Sequence, residues 1–232
     1  MKNISIIGDS WGCGEWKASP DGGIVTHKGT EHFLSESGYS VKNYSKGGGS
    51  GKYMLEQLEK YDIKNEILLV FHTDSCRDIR DNLDVALQYM QKKNVFIKKV
   101  HEFLFAEWIK KFVQATKNRN CEVILIGGHA NLYKNVNLLL PTNIKVLTHS
   151  WIQDITNTKV GDLSGLDRDD LEDFITNKPI DSDEQKQEII DIMTEKSKRL
   201  YLLKHHIHFP DDHHPDRFCH QKLSERILQF IG

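Results

Sequence analysis

Short runs of β-branched and aliphatic residues recur along the chain, separated by stretches with helical spacing of their apolar residues. One run, Ile67–His72 with the preceding Glu66, is apolar at nearly every position, which is typical of a strand buried on both faces of a sheet. Helical spacing predicts helices at about 28–37, around Leu55 and Leu58, and at 95–116. Strands are predicted at 3–8, 39–44, 66–72, 121–127 and 143–147.

Strands that alternate with helices predict an α/β fold with a mostly parallel sheet covered on both faces. The segment 152–204 departs from this alternation, because it is charged and its pattern predicts two helices, at 164–175 and 183–203. We interpret it as a helical insertion within one domain that spans residues 1–232. It could close over a site as a cap or form ordinary surface helices.

Composition narrows the class of protein. The 232 residues suffice for one sizeable core, and the net charge of -2 gives no electrostatic reason to expect a nucleic-acid partner. Apolar runs are too short for a membrane span, and the first apolar stretch is too short for a secretory signal. The cysteines are scattered, which predicts reduced thiols in a cytoplasmic protein. The pattern leaves the oligomeric state open.

Two short motifs at opposite ends of the chain carry candidate chemistry. Ser10 follows the first predicted strand inside Gly8–Gly12, where the flanking glycines allow a tight turn that exposes it. A serine hydroxyl is a weak nucleophile until a neighbouring base takes its proton. The stretch Asp211–Pro215 offers that base in His214 and a carboxylate, Asp211, that can orient it. The predicted catalytic residues are therefore Ser10, Asp211 and His214.

Other interpretations of the same motifs stay open. Asp212 or His213 could take the role of its neighbour. The glycine-rich turn alone could be structural or bind phosphate, although it matches neither dinucleotide-binding nor P-loop spacing. The C-terminal imidazoles and carboxylate could instead bind zinc, as in a metal-dependent hydrolase. The candidate metal ligands are His205, His206, His208, Asp211, His213 and His214.

With these residues in this order, the chain resembles the SGNH, or GDSL-type, hydrolase family. Trp11 stands where leucine is usual in the first motif. The resemblance implies a three-layer α/β/α sandwich, flavodoxin-like, with a parallel sheet of about five strands, and a mechanism that needs no cofactor or metal. The matching residues are Gly8-Asp9-Ser10 in the first motif, Gly48 in the second, and Asp211 with His214 in the fourth.

The third motif departs from the family, which has Gly-x-Asn-Asp where this chain has Phe71–Asp74. Thr73 replaces the asparagine whose amide helps to bind the oxyanion, and loss of one such donor costs roughly a hundred- to a thousandfold in rate. A threonine hydroxyl still donates, and His72 could substitute. Asp74 and Arg77 belong to a charged cluster that either forms a salt-bridged loop or recognises an anionic or sugar-like substrate.

The predicted function is hydrolysis of an ester through an acyl-enzyme on Ser10, with a small-molecule or carbohydrate substrate that carries a short acyl group. The predicted oxyanion donors are the backbone N–H groups of Ser10 and Gly48 and the hydroxyl of Thr73. An inactive binding module with the same fold and an acyltransferase with the same triad remain alternatives. The unusual third motif also resembles divergent family members carried by bacteriophages.

Overall fold

The computed structural model describes residues 3–17, 19, 23–64, 66–73, 88–93, 96–133, 136, 140–166, 172, 175–176, 180–210 and 213–232. Its strands are β1 (Asn3–Gly8), β2 (Glu15–Lys17), β3 (Ile24–His27), β4 (Ser40–Asn43), β5 (Ile67–His72), β6 (Glu122–Gly127) and β7 (Ile144–Thr148). Five of them form a sheet in the order β4-β1-β5-β6-β7, with every neighbouring pair parallel. Each predicted strand is confirmed to within about a residue.

The helices follow the predicted alternation. The predicted helices at 28–37, 95–116 and 183–203 are confirmed, whereas most of the predicted helix at 164–175 lies outside the described residues. The helices are α1 (Ser10–Cys13), α2 (Thr30–Glu36), α3 (Gly51–Lys60), α4 (Ile97–Thr116), α5 (Trp151–Thr156), α6 (Asp183–His205) and α7 (Arg217–Ile231). None of the helices in these described ranges is both long and apolar enough to cross a bilayer.

Two hydrophobic clusters lie on opposite faces of the sheet. Because side chains alternate along a strand, Ile6 packs into one cluster and Ile7 into the other. The Ile6 cluster includes residues of α2, α5 and α7, and the Ile7 cluster includes residues of α3 and α4. The sheet is thus covered on both sides, which confirms the predicted three-layer α/β/α class.

Helix α6 contacts the start of α4 and the segment that follows β6. Ser182 caps it in a capping box with Gln185, and Ile192 packs in a small cluster with the start of α4. The buried Arg199 donates to the backbone oxygen of His129 at 2.6 Å and to its Nδ1 at 3.1 Å. A guanidinium only donates hydrogen bonds, so His129 Nδ1 is the acceptor. The role of residues 152–204 as a cap stays a prediction.

The hairpin of β2 and β3 is a feature that the sequence pattern did not predict. These short antiparallel strands form a second, two-stranded sheet between α1 and α2. Isolated two-stranded hairpins are marginally stable, so this one depends on its contacts with the rest of the molecule. Glu15 supplies one of them, by accepting from Arg217 at the start of α7.

Candidate active site

The order of the strands creates a crevice at the carboxyl edge of the sheet. From β1 the chain moves to β4 on one side and then to β5 on the other, and ligands of open α/β sheets bind at such a switch point. Gly8 and Phe71 are register partners in β1 and β5. Ser10 and Thr73 each lie two residues beyond that pair. Two of the predicted site residues therefore flank the crevice.

The turn that carries Ser10 is buried and held by Asp9. The Asp9 carboxylate accepts from Trp11 N at 3.0 Å, and its backbone oxygen accepts from Gly12 N at 3.1 Å. These contacts start α1 directly after β1, as an N-cap residue does. Ser10 retains 8% of its surface exposed, whereas the Trp11 ring is enclosed in the core. The turn thus fixes Ser10 at the edge of the sheet with little freedom.

The second half of the site comes from the loop before α7. His214 Nε2 lies 2.8 Å from Ser10 Oγ, although the two residues are 204 positions apart in sequence. The neighbouring alternative, His213, is exposed and adopts a positive φ of 59°. The structure therefore brings His214 to Ser10. Asp211, the predicted orienting carboxylate, and Asp212 lie outside the described residues.

Trp16 completes this arrangement from the β2–β3 hairpin. Its ring stacks on the imidazole of His214, with centroids 5.1 Å apart and planes 22° apart. Its Nε1 donates to the backbone oxygen of Ser10 at 2.8 Å. Sequence analysis did not single out this role, because it depends on a hairpin that the pattern did not predict. The other tryptophans near the site, Trp11 and Trp151, pack against each other in the core.

Gly48 lies in a turn that is attached to the end of β1. Lys46 N donates to Gly8 O at 3.1 Å, and Gly49 N closes the turn on Lys46 O at 2.9 Å. Gly48 adopts a φ of +68°, a region that favours glycine, and a Cβ atom there would meet nothing within 4 Å. The turn is thus positioned beside the end of β1, two residues before Ser10, with open space at Gly48.

The third-motif residues are described only in part. Thr73 is buried, and its Oγ1 has no hydrogen-bond partner in the described part of the chain. His72, the possible substitute donor, is also buried, and its ring packs against Phe105 and Trp108 under α4. Asp74 and the rest of the charged cluster, including Arg77, lie outside the described residues.

The thiols near the site are poorly suited to nucleophilic chemistry. Burial, with the charges of Asp9 and Glu31 adding to it, raises the pKa of the Cys13 thiol to about 12. A thiol with such a pKa is protonated near neutral pH and therefore a weak nucleophile. Among the predicted residues near the start of α1, Ser10 is thus the candidate nucleophile.

One group of described residues has the spacing of metal ligands. Ligand atoms of His208, Asp216 and Cys219 lie within 4.8 Å of one another. The His208 Nδ1 and a carboxylate oxygen of Asp216 already form a 2.8 Å contact, and burial strongly raises the pKa of the Cys219 thiol. The three ligand atoms have the spacing of a metal site, and the contact between His208 and Asp216 also accounts for the position of both side chains without an ion. Of the predicted metal ligands, His214 contacts Ser10 instead.

Two cavities lie away from Ser10. The larger, of about 720 Å³, lies between α4 and α6 and is lined by residues that include Phe105, Tyr133 and Ile192. The smaller, of about 220 Å³, lies beside α5 and includes His149 and Lys159. Neither is lined by Ser10 or His214, so the contact between those two residues, and not a cavity, marks the candidate site.

Three comparisons with known proteins gave different results. No protein-family model and no curated protein sequence matches the chain. Several solved structures are similar to it, three of them over nearly the whole length of both chains. A G-D-S-L family protein from Desulfitobacterium hafniense is 13% identical, with 99% of each chain covered and a TM-score of 0.49. The psychrotrophic esterase EstA of a Pseudoalteromonas species is 12% identical, with 100% of this chain and 97% of that chain covered and a TM-score of 0.41.

An acetyl xylan esterase from Geobacillus stearothermophilus is 17% identical, with 100% of this chain and 94% of that chain covered and a TM-score of 0.41. The fold of the present chain is assigned from its own sheet order and its two layers of helices.

Proposed function

We propose that this protein is a serine hydrolase of the SGNH type, which cleaves an ester by transfer of the acyl group to Ser10. The observation that carries the proposal is the 2.8 Å contact between Ser10 Oγ and His214 Nε2 at the carboxyl edge of the sheet. A base must lie within hydrogen-bond reach of the proton that it removes. The contact meets this requirement without movement of either residue.

In the proposed mechanism, the Ser10 hydroxyl donates its proton to His214 Nε2 while Oγ attacks the ester carbonyl. The imidazolium then protonates the leaving alcohol, and water attacks the acyl-enzyme with His214 again as the base. Asp211 is the proposed acceptor for the Nδ1–H of His214. This arrangement would hold the neutral tautomer that leaves Nε2 free to accept.

The proposed oxyanion donors are the backbone N–H groups of Ser10 and Gly48, with the hydroxyl of Thr73. Support for them comes from their placement: Ser10 and Thr73 flank the switch point, and the Gly48 turn is attached to Gly8. The hydroxyl of Thr73 has no partner among the described residues, so it can donate to a developing negative charge once the carbonyl reaches it. A single such donor contributes roughly a hundred- to a thousandfold in rate.

The proposed substrate is an ester of a short acyl group on a polar carrier such as a sugar. The polar composition and the charged residues around Asp74 and Arg77 in the sequence support this preference. A panel of acetylated sugars and of p-nitrophenyl esters with increasing acyl length would test it. Rates that increase toward long acyl chains would contradict the proposed substrate class while leaving the chemistry intact.

One observation favours a second candidate, a binding module that keeps the fold without turnover. Thr73 is only 1% exposed, so a bound carbonyl can reach its hydroxyl only if neighbouring residues shift. In that case Ser10→Ala would leave ligand binding unchanged, and the parent protein would show no turnover.

Labelling with a fluorophosphonate serine probe, followed by peptide mapping, tests the proposed chemistry. A single adduct on Ser10, absent from Ser10→Ala and from His214→Gln, is expected. Both substitutions should reduce ester hydrolysis by at least about a thousandfold, because nucleophile and base act as a unit. A folded parent protein that acquires no adduct would contradict the hydrolase and favour the binding module.

A further inference from the structure

Trp16 contacts three parts of the candidate site with one side chain. Its ring face lies on His214, and its Nε1 donates to Ser10 O at 2.8 Å. Its outer edge lies against Gly47, where an added Cβ would be 2.7 Å from the ring. Any side chain larger than hydrogen at position 47 would therefore collide with the indole.

The stacking geometry has an electrostatic consequence for the base. Indole and imidazole planes 22° apart, with centroids at 5.1 Å, form an offset stack. When His214 takes a proton it becomes a cation over the negative face of an indole, which is the strongest of the aromatic rings for cation–π attraction. The contact therefore favours the imidazolium over the neutral ring.

The hydrogen bond from Nε1 has a separate, geometric consequence. It ties the carbonyl of Ser10 to the same indole that stacks on His214. The nucleophile and the base, which come from opposite ends of the chain, thus share one rigid support. A movement of either relative to Trp16 would disturb the 2.8 Å contact between Oγ and Nε2.

The hairpin that carries Trp16 is itself attached to the base side of the site. Glu15, the preceding residue, accepts from Arg217 Nε at 3.2 Å and from its terminal nitrogen at 3.1 Å. Arg217 opens α7, directly after the loop that carries His214. This contact limits the freedom of the hairpin relative to His214.

We propose that Trp16 is a positioning residue that sets both the orientation and the basicity of His214. The proposal rests on the serine-hydrolase function proposed above, which it deepens by naming the group that stabilises the imidazolium during proton transfer. It assigns a specific purpose to the β2–β3 hairpin, which is to place one indole between the base and the backbone of the nucleophile.

NMR titration of the His214 ring without substrate tests the proposal, with the signal assigned by His214→Gln. Trp16→Phe and Trp16→Leu both lose the Nε1 donor, but only Phe keeps an aromatic face. The His214 pKa should fall by about half a unit in Trp16→Leu and by less in Trp16→Phe. Gly47→Ala, which displaces the indole, should shift the pKa in the same direction.

Trp108→Phe is the matched control. Trp108 Nε1 also donates to a backbone oxygen, that of Gly51 at 3.2 Å, but Trp108 lies in the core beneath α3 and α4. It should leave the His214 pKa unchanged. A His214 pKa that is unchanged or raised in a folded Trp16→Leu variant overturns the proposal. If Trp16→Leu does not fold, the same criterion applies to Trp16→Phe.

The rate of fluorophosphonate labelling as a function of pH separates this proposal from the proposed function. Its acidic limb should move with the His214 pKa in each Trp16 variant. Labelling of the parent protein decides the hydrolase, whereas the titration decides the role of Trp16. If the His214 pKa differs as expected between the parent and the Trp16 variants but the parent acquires no adduct, the positioning role is supported and the hydrolase is overturned.

Discussion

The turn that carries Ser10 and the loop that carries His214 meet at one contact but are held in different ways. Asp9, Ser10 and Trp11 are buried, and the turn continues directly from a central strand. On the base side, Phe209 and Pro215 are buried, while His213 is exposed. The nucleophile is thus part of the core, whereas the base is a half-buried side chain that contacts Ser10 and Trp16. We call the Ser10 turn with the core around it the core side, and the residues around His214 the base side. Changes on the core side should mainly affect stability, and changes on the base side should mainly affect activity.

Replacement of Trp11 tests the core side and should have the largest effect on stability. Its ring packs against Trp151 and against Phe209 of the base loop, at centroid distances of 5.7 and 5.9 Å. Trp11→Ala should lower the free energy of unfolding by about 3–5 kcal/mol, as for other large core truncations. Urea denaturation followed by circular dichroism measures it. Trp11→Leu, which leaves a smaller cavity, should cost less, and equal losses would contradict a cavity effect.

Acid should lower the free energy of unfolding by favouring protonation of His220, which is buried in the core. This fully buried ring of α7 contacts the Thr30 hydroxyl at 3.0 Å, and burial lowers its pKa from 6.5 to about 3. Since the unfolded chain binds the proton more readily, stability is complete above about pH 6.5 and falls as the pH drops toward 3. The slope is up to about 1.4 kcal/mol per pH unit.

Denaturation at several pH values measures that slope. His220→Asn removes the titrating group and should flatten the dependence between pH 6 and 4, at the cost of lower stability at neutral pH. Partly exposed histidines such as His206, whose pKa burial also lowers, should leave a smaller residual slope. An unchanged slope in His220→Asn would assign the acid sensitivity to other groups.

Removal of Asp216 tests the base side and should have the smallest effect on stability. Its carboxylate accepts from Cys219 N at 2.9 Å and contacts His208 Nδ1 at 2.8 Å, and its backbone N donates to His208 O. Asp216→Ala loses both side-chain contacts. The free energy of unfolding should fall by about 1 kcal/mol. The rate of Ser10 labelling should fall about tenfold, because His214 is less well positioned.

Arg217→Gln is the matched control for that prediction. It changes the next residue and removes an ion pair with Glu15 whose arginine side chain is 58% exposed. Such exposed pairs contribute at most about 1 kcal/mol. Its labelling rate should change less than that of Asp216→Ala. Equal rate losses in the two variants would show that the hairpin contact matters as much as the base loop.

The two regions also differ in how far the sequence predicted them. Apolar runs such as 66–72 predicted the sheet, because a strand buried on both faces needs apolar residues throughout. The glycines around Ser10 and the three-residue spacing of Asp211 and His214 predicted the pairing of Ser10 with His214 without any structure. The distance between Ser10 Oγ and His214 Nε2 agrees with that prediction. The roles of Ser10 as nucleophile and of His214 as base stay predictions.

The hairpin and its tryptophan were beyond such reasoning. Glu15–Lys17 is only three residues long and gives no alternating pattern, and its partner Ile24–His27 is mostly exposed. The position of Trp16 over His214 follows from how the hairpin lies against α7, a long-range contact that no local pattern encodes. Asp216 differs, because an aspartate directly before a helical run is a signal for the start of a helix that the sequence itself carries.

The separation of 204 residues between Ser10 and His214 also has a consequence for synthesis on the ribosome. All five strands of the sheet precede residue 149, so the scaffold and the serine turn emerge long before the base. Chains generally fold from the N-terminal side during translation. The nascent protein would therefore hold its serine on a complete sheet before His214 arrives, and the proposed reactivity would appear only when α7 covers its face of that sheet.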